Sequence, residues 1–369
     1  METEPALYID RAPRMLARLV QSSGALCIES LRRHRALTAL ILAYALACYG
    51  AGWLSGGSAV IDIQLYADGF ALMIAAFATV IVLGSIVRTM ILVRPEGSLY
   101  EAIWRDLASR SVAPDRLANF LVPALLGPLF FSSFGSFKRL IPYVAPFTWD
   151  PTFANWDRWL HGGHDPWTLL QPVLGTPAVT GAVNAVYNIW FFVMFFTFIW
   201  QTMGVKRPAL RMQFLTCFVL YWIVIGTGLA MLLSSAGPCY FGRVTGLPDP
   251  YAPLMAYLHQ AAEHVPVWSL KVQEMLWDNY VGHGTMLGSG ISAMPSMHLA
   301  IATLMALLGW RINRWVGIGY TAFAAVILVG SVHLGWHYAI DGYVSIVAAI
   351  AVWHATGWAM RRWGRLGTD

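Results

Sequence analysis

The chain has 369 residues, of which 57% are hydrophobic and only 12% are charged, and its formal net charge is +5. Soluble domains average about 25% charged residues, so a soluble core of this size would lack the polar surface to cover it. The basic residues are scattered and form no strip with interleaved aromatic residues, which argues against a nucleic-acid partner. The composition therefore indicates an integral membrane protein.

Apolar runs of about 18 to 20 residues predict where the chain crosses the membrane as helices. The sequence contains eight such runs, so we predict an all-α fold, a polytopic membrane bundle of about eight transmembrane helices. The runs are centred near Tyr44, Thr79, Ala124, Val193, Ile223, Met305, Phe323 and Ile350. The run at Met305 is the shortest of them.

The basic residues predict the orientation of the bundle. With the N-terminus and the C-terminus inside, nineteen of the 24 lysines and arginines fall in inside segments, as the positive-inside rule requires. The other five are Lys138, Arg139, Arg158, Arg243 and Lys271. We therefore expect a multi-pass protein of the cytoplasmic membrane. It would have a basic surface segment at 1–35 and a membrane-embedded domain at 36–365, with a catalytic core at about 205–360.

Two histidine motifs stand out, Pro295-Ser296-Met297-His298 and His333-Leu334-Gly335-Trp336-His337-Tyr338-Ala339-Ile340-Asp341. The two apolar runs between them are joined by a short basic turn. If both runs cross the membrane, the chain goes across and comes back. This hairpin predicts that His298 and His337 lie on the same, non-cytoplasmic face.

The spacing of the second motif predicts a chemical pair. His337 and Asp341 are four residues apart, which places their side chains on one face of a helix. The carboxylate can hold one ring nitrogen of His337 and leave the other free to attack. His298 begins a different span, and two helix N-termini with free N–H groups would favour a bound phosphate. The set suits phosphoryl transfer through a phosphohistidine.

Two outer segments could contribute to phosphate binding. The aromatic segment from Phe131 to Pro177 carries Lys138 and Arg139, which could meet a phosphate beneath a lid or could be solvated charges beside an aromatic anchor. The long segment from Ser234 to Gly290 contains two predicted short helices, near 251–264 and 268–280. Its Arg243 could meet an anionic head group, or it could form a salt bridge with a nearby acid, Asp249 or Glu263.

At the histidine motifs the sequence resembles the type 2 phosphatidic acid phosphatase superfamily of membrane lipid phosphatases and phosphotransferases. The Pro-Ser-x-His motif of that family matches residues 295–298, and its His-x3-Asp motif matches His337 to Asp341. The resemblance implies that His337 is the nucleophile, Asp341 its orienting partner and His298 the general acid. It also implies that Ser296 helps to hold the phosphate, and we expect no cofactor.

The sequence also departs from that family. Ser331 is followed by Val332 where the phosphatases have an arginine, and the Lys-x6-Arg-Pro motif is absent, since Arg207-Pro208 lies on the wrong face. The missing arginine and the His-Tyr-x-x-Asp form at His337-Tyr338 resemble the inositol-phosphorylceramide synthase and sphingomyelin synthase branch, which transfers head groups between lipids. The expected partners are a phospholipid or polyprenyl phosphate donor and a lipid hydroxyl or water acceptor.

Other functions remain open at this point. One alternative is a phosphatase that hydrolyses phosphatidic acid or a polyprenyl phosphate or diphosphate. Ser292 followed by a histidine in a later span suggests an intramembrane serine protease. His333, His337 and Asp341, each four residues apart, could bind a metal ion, or the histidines could relay protons in a transporter. His333 could also anchor the phosphate, as could Arg243 or Lys138.

Overall fold

The computed structural model describes residues 11–362 except 59–60, 111–112, 283, 285 and 287, with side chains from residue 23 onward. Across these residues the chain forms fourteen helices and no strand. The helices are α1 (Arg11–Leu54), α2 (Ala67–Arg88), α3 (Leu99–Arg110), α4 (Pro114–Val144), α5 (Asp150–Leu160), α6 (Pro166–Leu174), α7 (Pro177–Thr202), α8 (Pro208–Leu220), α9 (Phe241–Thr245), α10 (Ala252–Ala262), α11 (Trp268–Val281), α12 (Met297–Ile312), α13 (Arg314–His333) and α14 (Ala339–Arg362).

Seven of the eight predicted spans are helices long and apolar enough to cross a membrane, counted within the described part of the chain. The prediction of an all-α, polytopic membrane bundle is therefore confirmed. The eighth predicted span, around Met305, is α12, which has only 16 residues and a length of about 24 Å. Helices α7, α8, α13 and α14 surround it, and most of its side chains are buried. A helix enclosed by protein need not match the thickness of the lipid.

The two short helices predicted in the long outer segment agree with the structure in type and position. They are α10 and α11. The predicted aromatic outer segment begins at Phe131, but residues 131–144 are the end of α4, and only the remainder folds into α5 and α6. These short helices lie beyond the ends of the spans, and α5 contacts the start of α14.

The first helix starts at Arg11 and continues through a kink at His34 (φ −117°, ψ 16°) into the first span. Both ring nitrogens of His34, the residue at the kink, have a contact. Its Nδ1 lies 2.8 Å from the carbonyl of Ser30, and its Nε2 lies 2.5 Å from Nη2 of Arg211. Of the predicted surface segment, residues 1–10 lie outside the described residues, as does the predicted domain end at 365.

The span that begins with α8 does not keep α-helical hydrogen bonding to its end. From Tyr221 to Leu229 it widens into a π-helix, and a last turn follows at Ala230–Leu232. Below, α8 denotes this whole span, Pro208–Leu232. Such segments are rare and frequently occur at functional sites. A Cβ placed on Gly226, within this segment, would lie 2.9 Å from Cε2 of Phe134 and 3.0 Å from Sδ of Met297. The π-helix therefore packs directly against the segment that carries the first histidine motif.

A glycine allows α2 and α4 to pack closely. A Cβ on Gly127 of α4 would lie 2.3 Å from Cζ of the buried Phe70 on α2. We expect Gly127→Ala to lower the free energy of unfolding by about 1–3 kcal/mol, because the ring has to move. The measurement is thermal unfolding in detergent. Gly84→Ala is the control, since Gly84 lies within α2 with nothing within 4 Å. Equal unfolding temperatures in the two variants would contradict the prediction.

Candidate active site

A glycine-containing turn separates α13 from α14 and carries His337. The carbonyl of Ser331 accepts hydrogen bonds from the backbone N–H groups of Trp336 (2.9 Å) and His337 (3.1 Å). Gly335 has a φ of +72°, a left-handed conformation that commonly ends helices. His337 therefore lies in the turn, and the prediction that one helix carries both His337 and Asp341 is wrong for the histidine. The glycine two residues after His333 was the available signal for this helix end.

Asp341 lies in the first turn of α14 and faces back toward His337. Its Oδ2 lies 3.2 Å from Nδ1 of His337 and accepts the backbone N–H of Tyr338 at 3.1 Å. The carboxylate is fully buried. The histidine and the acid therefore meet across the helix start, and the contact engages Nδ1 of His337.

His298 is the second residue of α12 and packs between two aromatic side chains of α7. Its ring stacks on Tyr187, with centroids 4.7 Å apart, and lies 4.2 Å from the ring of Trp190. Nε1 of Trp190 donates a hydrogen bond to the carbonyl of His298 at 2.9 Å. The rings of His298 and His337 are 6.3 Å apart. The two helix starts therefore bring both imidazoles to one end of the bundle, called the histidine end below.

Both histidines line one cavity of about 390 Å³. Its other walls are mostly apolar and come from α4, α7, α8 and α11. Lys138 is the only lysine or arginine among the described residues that line it, and Ser292 lines it too. A cation and two imidazoles in an otherwise apolar enclosure can hold an anionic group attached to an apolar molecule.

Lys138 and Arg139 are neighbours in sequence but lie in different places. Lys138 borders the histidine cavity, and its charge acts on the ring of His337. Arg139 is buried, with Nη2 3.3 Å from Oγ of Ser136, and it lines a separate pocket near Asn279. Consecutive residues on a helix point about 100° apart, so only one of the two borders the cavity.

Arg243 forms a bidentate ion pair with Glu274. The two nitrogen–oxygen distances are 3.1 and 2.7 Å, and the guanidinium lies 5.1 Å from the ring centre of Trp277. The predicted partners, Asp249 and Glu263, are therefore incorrect. The alternative that a salt bridge engages this arginine agrees with the structure.

Ser296 and His333 both have local partners. Ser296 is buried and caps α12, where its Oγ accepts the N–H of Leu299 at 3.5 Å. His333 ends α13 with its Nε2 2.9 Å from Oγ1 of Thr180, which in turn lies 2.7 Å from the hydroxyl of Tyr257. Each side chain therefore stabilises a helix end or a contact between helices.

The first N–H groups of α14 are occupied by a carboxylate that the sequence reasoning missed. Asp157 of α5 accepts the N–H of Ala339 at 2.7 Å and that of Ile340 at 2.9 Å. Burial raises the pKa of Asp157, and these two hydrogen bonds oppose that rise. The prediction of two free helix N-termini around a phosphate is therefore wrong for α14.

A second buried carboxylate on α5 holds the loop that follows α8. Asp150 accepts hydrogen bonds from Oγ of Ser235 (2.9 Å), the N–H groups of Ala236 (3.0 Å) and Gly237 (2.8 Å) and the hydroxyl of Tyr338 (2.9 Å). Asp150 and Asp157 are seven residues apart and therefore lie on one face of a helix. That spacing was the available sequence signal for both.

The protonation of His337 follows from its surroundings. Burial lowers the pKa of His337 to about 3, against a hydrogen bond with the backbone of Ala293, and the charge of Lys138 acts in the same direction as burial. The ring is therefore neutral at neutral pH. A neutral imidazole keeps the lone pair that nucleophilic attack requires.

The metal alternative finds no support in the geometry. No group of three or more His, Cys, Asp or Glu side chains that could hold a metal ion occurs among the described residues. The turn at Gly335 also breaks the single helix on which His333, His337 and Asp341 would have converged.

Fold and site together define a polytopic membrane protein with a histidine pair and a carboxylate at one end of its bundle. Comparison with known protein families matches residues 151–355, more than half of the chain, to the PAP2 superfamily. The chain therefore belongs to this superfamily, whose members are phosphatases and phosphotransferases that act on lipid phosphates. No curated protein and no solved structure matches the chain. The family match begins at 151, so it includes α5 except its first residue, Asp150.

Asp157→Asn tests the role of the buried cap. An amide oxygen can accept one of the two N–H groups, but the amide nitrogen then faces the other, so we expect a loss of about 1–3 kcal/mol of unfolding free energy. Thermal unfolding in detergent measures it. The matched control is Asp278→Asn on α11, where the side chain is exposed. If both variants unfold at the wild-type temperature, the cap contributes nothing.

Proposed function

We propose that this protein is an integral-membrane lipid phosphotransferase that moves a phosphorylated head group from one lipid to another. One observation carries the proposal. The rings of His298 and His337 line the same cavity, with Asp341 behind His337 and mostly apolar walls around them. Membership of the PAP2 superfamily supports a lipid phosphate as the substrate.

His337 is the proposed nucleophile. With Asp341 at Nδ1, its Nε2 attacks the phosphorus of the donor, so that an N–P bond forms while the P–O bond to the leaving lipid breaks. His298, in its protonated form, gives its proton to the leaving oxygen. The negative charge of a bound phosphate favours that protonated form.

The second half of the reaction returns the site to its starting state. The hydroxyl of an acceptor lipid gives its proton to His298 and attacks the phosphohistidine, whose N–P bond breaks. Water in place of that hydroxyl would make the protein a lipid phosphate phosphatase. The mostly apolar walls favour the lipid acceptor, because they limit the water around the intermediate.

Lys138 is the proposed phosphate-binding cation. It takes the place of the arginine that the family pattern puts near the last histidine, where this chain has Val332. Within the described residues no carboxylate forms an ion pair with its ammonium group, whereas Arg243 is paired with Glu274. A lysine that borders the cavity without a counter-ion is suited to a phosphate oxygen.

The proposed orientation has the histidine end on the non-cytoplasmic side and both termini inside. The distribution of the basic residues supports it, with nineteen of 24 in the segments assigned to the inside. The cytoplasmic membrane is the proposed location.

His337→Ala is expected to reduce turnover by about six orders of magnitude, as loss of a nucleophile does in enzymes with covalent intermediates. His354→Ala, an exposed position on α14, is the control and should keep wild-type turnover. Ser292→Ala should retain most lipid turnover. A serine protease would instead show no lipid turnover in the wild-type chain and would lose its proteolytic activity in Ser292→Ala.

The measurement uses purified protein and phospholipid labelled in its phosphate, with and without ceramide or diacylglycerol. Transfer predicts that the label appears in a new lipid only when the acceptor is present. Label released as water-soluble phosphate in both conditions would identify a phosphatase.

Lys138→Met is expected to lower kcat/KM by about 10- to 100-fold, because a charge-assisted hydrogen bond to the phosphate is lost. Lys271→Met is the matched control, since Lys271 is exposed on α11 at the same end of the bundle. The same transfer assay measures both variants. An unchanged kcat/KM in Lys138→Met would remove Lys138 from phosphate binding.

A further inference from the structure

The cavity that contains the histidines extends away from the histidine end, between α4, α7 and the π-helical part of α8. Four buried aromatic side chains line this deeper part, Phe131 and Phe134 on α4, Phe195 on α7 and Trp222 on α8. These four residues are called the aromatic subsite below. The subsite and the histidines are two parts of one enclosure.

The direction and depth of the subsite follow from the helices that line it. On α4, Phe131 lies seven residues before Lys138, which is about 10 Å along the helix axis. On α7, which runs the opposite way, Phe195 lies eight residues after Tyr187, or about 12 Å. Both distances lead from the histidine end toward the middle of the bundle.

Ring contacts close the bottom of the subsite. The ring of Phe131 lies 5.4 Å from that of Phe195 and 5.7 Å from that of Trp222. The rings of Phe134 and Trp222 are 4.5 Å apart. The depth is therefore limited to about 10 Å by helix geometry, enough for only the first part of a lipid chain.

The side of the cavity reaches the flank of the bundle. Phe191 on α7 lines the cavity, yet 48% of its surface is exposed. Its helix is one of the candidate membrane spans. A lipid in the membrane can therefore approach the cavity past Phe191 without leaving the apolar layer.

We infer that the aromatic subsite holds the first part of one aliphatic chain of a lipid whose phosphate lies between Lys138 and the two histidines. The position given to the phosphate rests on the proposed function, whereas the position given to the aliphatic chain rests on the shape and lining of the cavity. Because lipid tails outside the protein are as apolar as the subsite, packing and shape decide which chain binds.

Part of the aromatic subsite lies outside the region that matches the family. Phe131, Phe134 and Lys138 all lie before residue 151, where the family match begins. The region outside the family match therefore contributes to selecting the chain and binding the phosphate. Chain selectivity would then depend in part on α4, which lies outside the family match, and in part on Phe195 and Trp222, which lie within it.

The test is a photochemical crosslink on the wild-type chain, with a short alkyl phosphate that carries a diazirine at the end of its chain. We expect competable crosslinks to the aromatic subsite, suppressed by excess unlabelled alkyl phosphate. Crosslinks confined to membrane-facing residues would overturn the inference. Phe192 and Val347, which are 57% and 68% exposed, are such residues.

A matched pair of glycine variants narrows the subsite without removing a polar group. Gly226 lines the cavity, and a methyl there would press on Phe134 and Met297, whereas Gly228 is exposed. We expect Gly226→Ala to reduce the crosslink yield at the subsite by about fivefold, which is the lower end of the effect expected from overpacking. Gly228→Ala should leave the yield unchanged, and equal yields in both variants would overturn the inference.

The crosslink does not depend on turnover, so its result is separate from the transfer assay. Subsite crosslinks in a protein that neither transfers nor hydrolyses lipid phosphates would refute the proposed function and support the chain subsite. Lipid transfer with crosslinks only at the flank would refute the chain subsite alone.

Discussion

The start of α14 is buried, and the site depends on the carboxylate of Asp157, which pairs with the N–H groups at that helix start. The N–H groups at a helix start have no partner within the helix, and leaving them unpaired inside the protein is costly. Asp157 satisfies two of them. Two helical turns earlier, Asp150 binds Tyr338 and the loop after α8. One short helix thereby fixes the turn that presents His337 and the loop that faces it.

The parts of the fold that could be predicted from the sequence are those that the membrane environment determines. Within a membrane every backbone polar group needs a partner in its own segment, so long apolar runs become helices. All eight predicted runs are helices among the described residues. Seven are long enough to span the membrane, whereas α12 is shorter and is enclosed by protein, which removes the length requirement. The spacing of His337 and Asp341 indicated their proximity, but Gly335 gives the backbone a different path.

The rest of the site depends on contacts between segments far apart in the sequence. Asp157 and Ala339 are separated by 182 positions, and no local pattern in either segment indicates that it contacts the other. Lys138 and Arg139 were equivalent candidates by composition, because only the rotation of α4 decides which of them borders the cavity. The acids near Arg243 in the sequence are not its partners, because the guanidinium pairs with Glu274 on α11.

The shortness of α12 has a consequence for the lipid bilayer. One end of α12 is anchored where the carbonyl of Arg311 accepts a hydrogen bond from Arg207, and His298 is its second residue at the other end. Its 16 residues reach about 6 Å less than a hydrocarbon layer of about 30 Å. On the proposed function, a head group that reaches His298 would lie below the level of the surrounding head groups, in a recess that the longer spans around α12 enclose. A thinner membrane would shorten that descent.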